Sequence, residues 1–401
     1  MAKRLAVPSK DLQLKIVGPR DVFAASRVQR LTLSSTQPSE TKDELGNPLH
    51  VGETKDIPEV TLSFSAYDVG IKIFAALTGT DATAYPAAGV DISNLGEIDA
   101  ILYVKDNDVA DYVKSISGRR LQIRDFAYSY TVDGDSTEDY TAIGSERRYL
   151  KYDVVVDKFT VGTTSFTLTQ TPVQLKNGFY GISVILDGDY LTEVTGAPAT
   201  GEYRIVGTTL TTGDTRSAQV LAVYHADPAG LNWTDIGDDS MPVSIRGRDV
   251  AIQIAANDIL RVQSVTINGN MNTTAVKELG SRNVVGYQRQ VPTVEGTITV
   301  LDTDTELIEL MTTGVIGSGA GVEWGPGEGC EDIALSLTVQ LSDPCDTTDP
   351  ISVIKTVHIP AITIVGDSYT SNVNNNATQT FNFKSLDSQC IIYSGAYSGW
   401  G

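Results

Sequence analysis

The sequence predicts a mainly β protein: two similar β-sandwich or partly closed barrel units, each with a short flanking helix, and a small all-β domain inserted between them. Three observations support this fold class. Thr, Val, Ile and Tyr are prominent among the 401 residues, and these residue types favour strands over helices. Many short segments alternate apolar and polar residues between turn signals, as half-buried strands do. One long segment also occurs twice, which indicates an internal repeat.

The repeat is visible without gaps at a spacing of 234 residues. The segment "RVQRLTLSS" begins at Arg27, and "RVQSVTING" begins at Arg261. Further along, Glu44, Leu45, Gly46, Val51, Gly52 and Pro58 recur in order as Glu278, Leu279, Gly280, Val285, Gly286 and Pro292. We therefore expect a first β unit over residues 1–152, an inserted domain over 153–227 and a second β unit over 228–401.

Each unit shows the same order of predicted elements. An alternating strand is followed by a polar segment, a second strand and a short helix. The helices are predicted to begin at the N-caps Asp68 and Asp302 and to end at Gly79 and Gly314, because carboxylates cap helix starts and glycine favours helix ends. The inserted region has no counterpart in the repeat, and its short alternating segments with frequent turn residues are typical of a small all-β domain.

The repeated polar segments, Ser34–Ile57 and Asn268–Val291, are too long for ordinary loops. We expect each to form an extended hairpin or arm. Ordering such an arm costs conformational entropy, so it needs a surface to lie on, and we expect that surface on a neighbouring subunit. Head-to-tail contacts of this kind build rings and filaments. The twelve repeated residues named above, from Glu44 to Pro292, are the candidate contact residues.

The charge of the chain limits its partners. The formal net charge is −20 and the sequence pI is about 4.5, which argues against a protein that grips phosphates with clustered Lys and Arg. The same charge fits a surface that DNA passes without sticking, or simply an acidic protein. The N-terminal residues lack the apolar stretch of a secretory signal, and no apolar run is long enough to span a membrane.

The order of "RVQ" strand, arm with "ELG…VG…P", strand and short helix resembles the tail tube (major tail) proteins of tailed bacteriophages. The resemblance covers both β units but not the inserted domain. It implies six-fold rings whose inner strands line a channel and whose long loop contacts the next ring. With two units per chain, it implies a trimer with pseudo-six-fold symmetry. The expected function is a virion tail conduit, negatively lined, made in the host cytoplasm, through which DNA passes unbound.

The same resemblance implies which molecules contact this chain. The partners are further copies of itself, a tape measure protein and a tail terminator or baseplate protein, with no cofactor. The inserted domain would lie outside the tube. The alternative is a multi-domain β binding module of a virion or cell surface that recognises a receptor or a glycan. The repeated arms favour the tube, since a binding module gains little from two long polar arms.

No residue set in the sequence predicts catalysis. The three histidines are dispersed, no metalloprotease motif or Ser/His/Asp grouping is present, and we expect a protein that is not an enzyme. "DGDSTED" at Asp133–Asp139 offers carboxylates for calcium, but the EF-hand spacing is absent and a turn explains it better. The glycine-rich stretch Gly314–Gly329 lacks the ending of a phosphate loop and is expected to be a flexible connection.

Two further groups of residues remain. Arg119, Arg120 and Arg124, with Arg147, Arg148 and Lys151, could form a nucleic-acid patch, but ion pairing on a subunit face fits the acidic chain better. Cys330, Cys345 and Cys390 are too few for a disulfide framework and show no zinc spacing. We expect them to be reduced structural cysteines, with a single bridge or an inter-subunit bond as the alternative.

Overall fold

The computed structural model of the chain describes residues 9–106, 111–150, 153–160, 163–176, 178–214, 219–226, 244–259, 261–281, 284–301, 334–346, 352–371, 373 and 376–400. We refer to residues 9–150 as the first part, 153–226 as the middle segment and 244–400 as the second part. The described residues are mainly β and contain one α-helix.

The first part contains eleven strands, the α-helix α1 (Lys72–Thr78) and short 3₁₀ helices at Ser9–Asp11 and Ile92–Asn94. Its strands are β1 (Leu12–Val17), β2 (Val22–Ala24), β3 (Val28–Thr36), β4 (Ser39–Lys42), β5 (Gly52–Lys55), β6 (Glu59–Tyr67), β7 (Val90–Asp91), β8 (Glu97–Asp106), β9 (Asp111–Thr131), β10 (Thr137–Gly144) and β11 (Glu146–Leu150).

The described residues of the middle segment and the second part form strands and one 3₁₀ helix, Gly247–Asp249, with the connections between them. The middle strands are β12 (Asp153–Phe159), β13 (Ser165–Thr167), β14 (Gly181–Leu186), β15 (Asp189–Tyr190), β16 (Thr192–Glu193), β17 (Glu202–Val206), β18 (Thr209–Thr212) and β19 (Val220–Ala226). The second part has β20 (Val250–Ile254), β21 (Asn257–Asp258), β22 (Val262–Asn270), β23 (Thr273–Val276), β24 (Gly286–Arg289), β25 (Thr293–Leu301), β26 (Leu335–Ser342), β27 (Val353–Thr370), β28 (Thr378–Ser385) and β29 (Ile391–Ser394).

One path of antiparallel pairings connects the strands of the first part. β1 pairs with β2 and β8, and the path continues through β9, β10 and β6 to β3. The β8–β9 ladder has a bulge between Ile98 and Ala100, and the β9–β10 ladder has one between Thr141 and Ala142. Strand β11 adds to β9, and β4 and β5 form a separate hairpin.

The strands of the second part are paired in the same order. β20 pairs with β21 and β26, and the path continues through β27, β28 and β25 to β22. Bulges lie between Leu335 and Leu337 and between Ile364 and Gly366, at the corresponding places of the path. Strand β29 adds to β27, and β23 and β24 form a separate hairpin.

The two parts are joined edge to edge through β9 and β22. The strands β3, β6, β10, β9, β22, β25, β28 and β27 therefore form one continuous antiparallel sheet of eight strands. A single apolar core runs behind it, with Leu62 and Phe74 from the first part and Ile298 and Phe383 from the second. Each such buried side chain stabilises the fold by roughly 1.5–3 kcal/mol, so the two parts share their main source of stability.

The middle segment forms two four-stranded sheets, β12-β19-β14-β15 and β13-β18-β17-β16. They enclose a separate core that includes Phe166 and Leu210. A second apolar cluster attaches this segment to the first part, where Tyr103 packs with Ile185. The Tyr103 hydroxyl donates to the Val154 carbonyl at 2.5 Å, which satisfies its one polar atom at the contact.

The helix begins later than the sequence predicts. Gly79 is confirmed as its C-terminal stop, with a left-handed φ of 69°. The prediction for Asp68 is wrong, since Ile71 occupies the N-cap position and Asp68 is fully buried instead. The second predicted helix, between Asp302 and Gly314, lies outside the described residues. The fold is therefore mainly β with several sheets, and the described strands close no barrel.

Candidate assembly interface

The first polar segment forms a hairpin that projects from the sheet. Strands β4 and β5 pair from Ser39 with Lys55 to Lys42 with Gly52. The candidate residues Glu44, Leu45, Gly46, Val51 and Gly52 are all exposed, and Pro58 is half-buried at the base of the hairpin. Leu45 has an exposed fraction of 105%, the value of a side chain with no neighbours, so this tip offers an apolar contact that its own chain does not use.

The second polar segment forms the same kind of hairpin from β23 and β24. Its candidate residues Glu278, Leu279, Gly280 and Val285 are exposed, whereas Gly286 and Pro292 are half-buried. Leu279 is 107% exposed. We call the two hairpins, residues 39–55 and 273–289, the first arm and the second arm.

The repeated "ELG" has a local structural reason in both arms. Gly46 and Gly280 have φ angles of 89° and 88°, a left-handed conformation that glycine adopts without the steric cost of a Cβ atom. In each arm the amide that follows this glycine donates to the glutamate carbonyl: Asn47 to Glu44 at 3.1 Å and Ser281 to Glu278 at 3.2 Å. The same turn chemistry therefore sets both tips.

The second arm lies on the first part of its own chain. Lys277 Nζ is 3.3 Å from the Asp56 carboxylate at the base of the first arm. Arg289 donates to the Ser93 carbonyl at 3.2 Å, and the Val284 amide is 3.3 Å from Ser145 Oγ. The sequence predicted that the arms contact a neighbouring subunit. For the second arm, the first part of the same chain provides this contact, because the chain connects the two parts and keeps them together.

The pairing of β9 with β22 forms the centre of the junction between the first and second parts. The ladder runs from Ser264 paired with Thr131 to Asn270 paired with Asp125. Gly269 lies beneath the Phe126 ring, where an added Cβ atom would be 1.9 Å from a ring carbon. A glycine is required at this point because the ring occupies the place of its side chain.

A buried ionic cluster crosses the same junction. Lys355 on β27 is fully buried, and its Nζ lies 2.8 Å from Asp68 Oδ1 and 3.4 Å from Glu138 Oε2. Three tyrosines complete the cluster. The hydroxyl of Tyr130 donates to Asp68 and that of Tyr140 donates to Glu138, both at 3.0 Å, and the lysine lies 4.4 Å from the centre of the Tyr128 ring.

The cluster shifts the acid–base behaviour of its members. Burial raises the pKa of Glu138 to about 7, and the nearby lysine only partly opposes this. Burial lowers the pKa of Lys355, but the combined effect of Asp68, Tyr128 and Glu138 outweighs it and the pKa is raised overall. The lysine therefore stays charged at neutral pH and must stay paired, because an unpaired buried charge is costly.

The face of the eight-stranded sheet opposite the core is lined by hydroxyl side chains. Hydroxyls of neighbouring strands lie close together: Thr266 and Thr297 at 2.8 Å, and Thr299 and Thr380 at 3.0 Å. The set comprises Thr32, Ser34, Thr36, Thr61, Ser63, Ser65, Ser129, Thr131, Thr137, Thr141, Ser264, Thr266, Thr293, Thr297, Thr299, Thr363, Ser368, Thr370, Thr378 and Thr380. Charged residues on this face are Arg30, Glu59, Asp125, Asp139, Glu295 and Lys384. The face is thus polar with little net charge.

The sheet ends in two long edges. Strand β3 pairs only with β6, and the β27 residues from Gly366 to Thr370 pair only with β28, among the strands that the structure describes. Val365 and Tyr369 beside the second edge are 62% and 59% exposed. Such edges present backbone groups that can pair with another chain.

The remaining sequence candidates have structural roles where they are described. Ion pairing is confirmed for four of the basic residues: Arg119 and Arg148 contact Glu146, Arg120 contacts Glu97 and Arg124 contacts Asp125. Their position on a subunit face stays a prediction. The turn predicted for Asp133–Asp139 is confirmed for its first residues, 133–134, whereas it is wrong for residues 137–139 because they already belong to β10. Cys345 and Cys390 are free thiols. Gly314–Gly329, Cys330 and Lys151 lie outside the described residues.

The described residues contain no group of three or more His, Cys, Asp or Glu side chains placed to hold a metal ion. Their helices also fall short of the length and apolar character that a membrane crossing requires.

Comparison of the sequence with protein-family models and with curated proteins finds no match. A function for this chain therefore has to be inferred from its own geometry.

The sequence reasoning missed the cluster around Lys355. A signal was present, since Lys355 and His358 interrupt an otherwise apolar strand, "VIKTVHIPAI". A charge within such a run indicates a buried partner. The identity of that partner, 287 residues away along the chain, is set by the docking of the two parts and could not be read from local pattern.

Proposed function

We propose that this chain is a structural virion protein that self-assembles into stacked rings and forms the tail tube of a tailed bacteriophage, a conduit for DNA during ejection. The in-chain junction carries the proposal. The second part docks on the first through an edge strand, an arm and a buried lysine. The eight-stranded sheet ends in two edges, β3 on one side and β27 on the other. The β27 edge of one copy can therefore pair with the β3 edge of the next, and a contact that repeats in this way can close a ring.

The proposal includes the duplication of one β unit. Besides the shared order of pairings, Arg27 and Arg261 begin the repeated strands with the uncommon left-handed φ angles of 59° and 64°. Their carbonyls accept matching backbone bonds, from Tyr67 at 3.2 Å and from Leu301 at 3.1 Å. Strained backbone at the same place in both parts is difficult to explain by chance similarity of two β sheets.

Three copies give the proposed ring. With eight strands from each copy, the closed inner wall contains 24 strands. Because every copy contributes two similar units, the ring has three-fold symmetry and approximate six-fold symmetry, as the fused arrangement requires. The 153–226 segment packs on the opposite side from the hydroxyl face, against Val17 and Tyr103, which supports an external position for it.

The hydroxyl face supplies the wall of the proposed conduit. The sequence predicted a negatively lined bore, but the proposed lining is dominated by Ser and Thr, with Glu59, Asp125, Asp139 and Glu295 only partly balanced by Arg30 and Lys384. Tight binding of DNA requires several cations that neutralise phosphates. A wall with two cations per chain and many neutral hydroxyls lets DNA move without that grip.

The arm tips support the stacking of rings. The base of the second arm is occupied within the chain, while Leu45 and Leu279 at the two tips are fully exposed. We propose that both tips insert into the adjacent ring. Tape measure and tail terminator or baseplate proteins would then meet the ends of the stack, and no catalytic role is assigned.

Electron microscopy of the purified chain tests the proposal. We expect rings or hollow stacks in negative stain, with three-fold symmetry in averaged images. The variant Leu45→Asp/Leu279→Asp is expected to form single rings that do not stack, because it places charges in the apolar ring–ring contact. Val206→Asp is a matched control, since Val206 is a 59% exposed apolar residue of the middle segment, and it should stack normally.

A chain that stays monomeric at high concentration would contradict the tube. In that case the alternative, a virion or surface module that binds a receptor or glycan, becomes the better interpretation. Stacking by the Leu45→Asp/Leu279→Asp variant, with rings otherwise normal, would instead contradict only the role given to the arm tips.

A further inference from the structure

We infer that a second copy of this chain pairs its β3 edge with the β27 edge of the first, antiparallel, with Thr32 opposite Thr370 and Thr36 opposite Gly366. This inference rests on the proposed function and specifies its lateral contact. The in-chain junction is the template, because β22 and β3 occupy the same place in their parts, and so do β9 and β27.

The register follows from two fixed spacings. β3 and β22 are related by 234 residues, as the repeat shows, and β9 and β27 are related by 241 residues. The second spacing is set independently by the bulges, since Arg124 and Val365 are the residues bypassed in the corresponding ladders. The in-chain pair Thr266–Ser129 therefore becomes Thr32–Thr370 between copies.

The side chains that the proposed register pairs between copies are compatible with each other. In the chain, Ile267 pairs with Tyr128, and their counterparts Leu33 and Tyr369 are again an aliphatic and an aromatic residue. Leu33 is partly exposed, whereas Ile267 is fully buried. The docking of a second copy would cover this apolar surface, as the first part covers it in the chain.

The next pair along the strand changes on both sides together. Gly269 must be glycine because the Phe126 ring lies over it. At the transferred positions, Ser35 replaces the glycine and Asp367 replaces the phenylalanine. With no ring to avoid, a side chain is allowed on β3, and a serine hydroxyl can donate to the aspartate. The two changes are therefore compatible with a contact between these strands.

A lysine supplies a separate line of support. The 241-residue spacing relates Lys355 to Lys114. Lys355 is buried against Asp68, Glu138 and Tyr128, whereas Lys114 is exposed. In the proposed contact between copies, Lys114 of the second copy would lie over Tyr369 of the first copy. It would also lie beside Gln379 of the first copy, which corresponds to Glu138. A strand lysine exposed in the single chain thereby gains a partner.

Disulfide trapping tests the register. One chain carries Ser34→Cys and a second carries Ser368→Cys, both in a Cys330→Ser/Cys345→Ser background that leaves only buried Cys390. The proposed register places the two positions directly opposite each other, with Cα atoms about 5 Å apart, which a disulfide can bridge. We expect mild oxidation of the mixed chains to yield a covalent heterodimer.

The control shifts one residue. Asp367→Cys in place of Ser368→Cys puts the thiol on the opposite face of the strand, so its yield of heterodimer with Ser34→Cys should be several-fold lower. Rings that form without the Ser34–Ser368 bond, or with more of the control bond, would overturn the register and leave the tube intact. The bond without rings would support the contact and overturn the tube. Neither rings nor bond would overturn both.

A charge variant separates the contact from folding. Lys114→Glu should abolish ring formation and the Ser34–Ser368 crosslink, while circular dichroism and the thermal midpoint of the single chain stay unchanged, because Lys114 is exposed there. Lys114→Arg, which keeps the charge, should assemble. If Lys114→Glu assembles as well as the original chain, the inferred position of this lysine is wrong.

Discussion

Lys355 and Lys114 occupy corresponding positions in the two halves of the chain, yet one is fully buried and the other is exposed. The difference lies in what faces each of them. Lys355 meets the carboxylates of Asp68 and Glu138 across the junction, while Lys114 is exposed to solvent. The comparison teaches that the burial of Lys355 depends on the docking of the second part on the first.

The covalent connection explains why the two parts dock within the chain. Joining the halves makes their docking intramolecular, so it does not depend on protein concentration. The proposed contact between copies would bear the translational and rotational cost of association. We therefore expect the in-chain junction to form on folding and the inter-copy contact to form only above a threshold concentration.

The largest expected effect comes from the buried lysine. Lys355→Met leaves Asp68 and Glu138 buried without their cation, and breaking a buried ion pair in this way costs about 3–5 kcal/mol. Lys114→Met removes an exposed side chain, and its effect on the fold should stay within about 0.5 kcal/mol. Urea unfolding of both variants, followed by fluorescence, measures the difference.

Equal losses of stability in Lys355→Met and Lys114→Met would contradict the comparison, since the two lysines would then be in equivalent environments. Asp68→Asn/Lys355→Met offers a further check, because it removes one charge of each sign. If it recovers part of the stability lost in Lys355→Met, the loss comes from the unpaired carboxylate and not from packing of the lysine chain.

A smaller effect is expected from the glycine of the junction. Gly269→Ala places a methyl group against the Phe126 ring, and such overpacking typically costs about 1–3 kcal/mol. Ser35→Ala at the corresponding position should change the stability of the single chain by less than about 0.5 kcal/mol. The same urea unfolding measurement applies. A neutral Gly269→Ala would mean that the strands at the junction are farther apart than the structure places them.

Much of the architecture could be predicted from local pattern. Alternating residues indicated the strands, Gly79 marked the helix end, and the repeated polar segments indicated two hairpins. The left-handed φ angles of Gly46 and Gly280 in the two tips give a local reason for the repeated "ELG", because glycine adopts them without steric cost. These features depend on residues that are close in sequence, so their physical causes are readable there.

The docking of the halves could not be predicted in the same way. Asp68 was expected to cap a helix, because an acidic residue before an apolar run usually does, but a lysine 287 residues away provides its partner. The second arm likewise rests on Ser93 and Ser145, which no local pattern connects to it. Contacts of this kind depend on which strand edges pair with each other. The alternating pattern of residues is the same for every edge strand, so it does not identify the partner.

The last expected effect is of the same order as that of Gly269→Ala and concerns a position where the in-chain contact and the proposed contact differ in charge. Glu138 in the chain corresponds to Gln379 in the open half, so Glu138→Gln makes the first contact resemble the second. Burial raises the pKa of Glu138 to about 7 from its ordinary value of 4.5. A group with a raised pKa binds its proton more tightly in the folded state, so its contribution to stability is complete below pH 4.5 and is lost as the pH rises through 7.

Glu138→Gln should not show this loss of stability with rising pH. We expect the free energy of unfolding of the original chain to fall between about pH 5 and pH 8 relative to that of Glu138→Gln, by an amount on the order of 1–3 kcal/mol. Other titrating groups, such as His358, are common to both proteins and cancel in the difference. Urea unfolding at the two pH values measures it. If the difference grew in the opposite direction, the carboxylate would be better stabilised by Lys355 than its burial allows, and the ion pair rather than desolvation would dominate the junction.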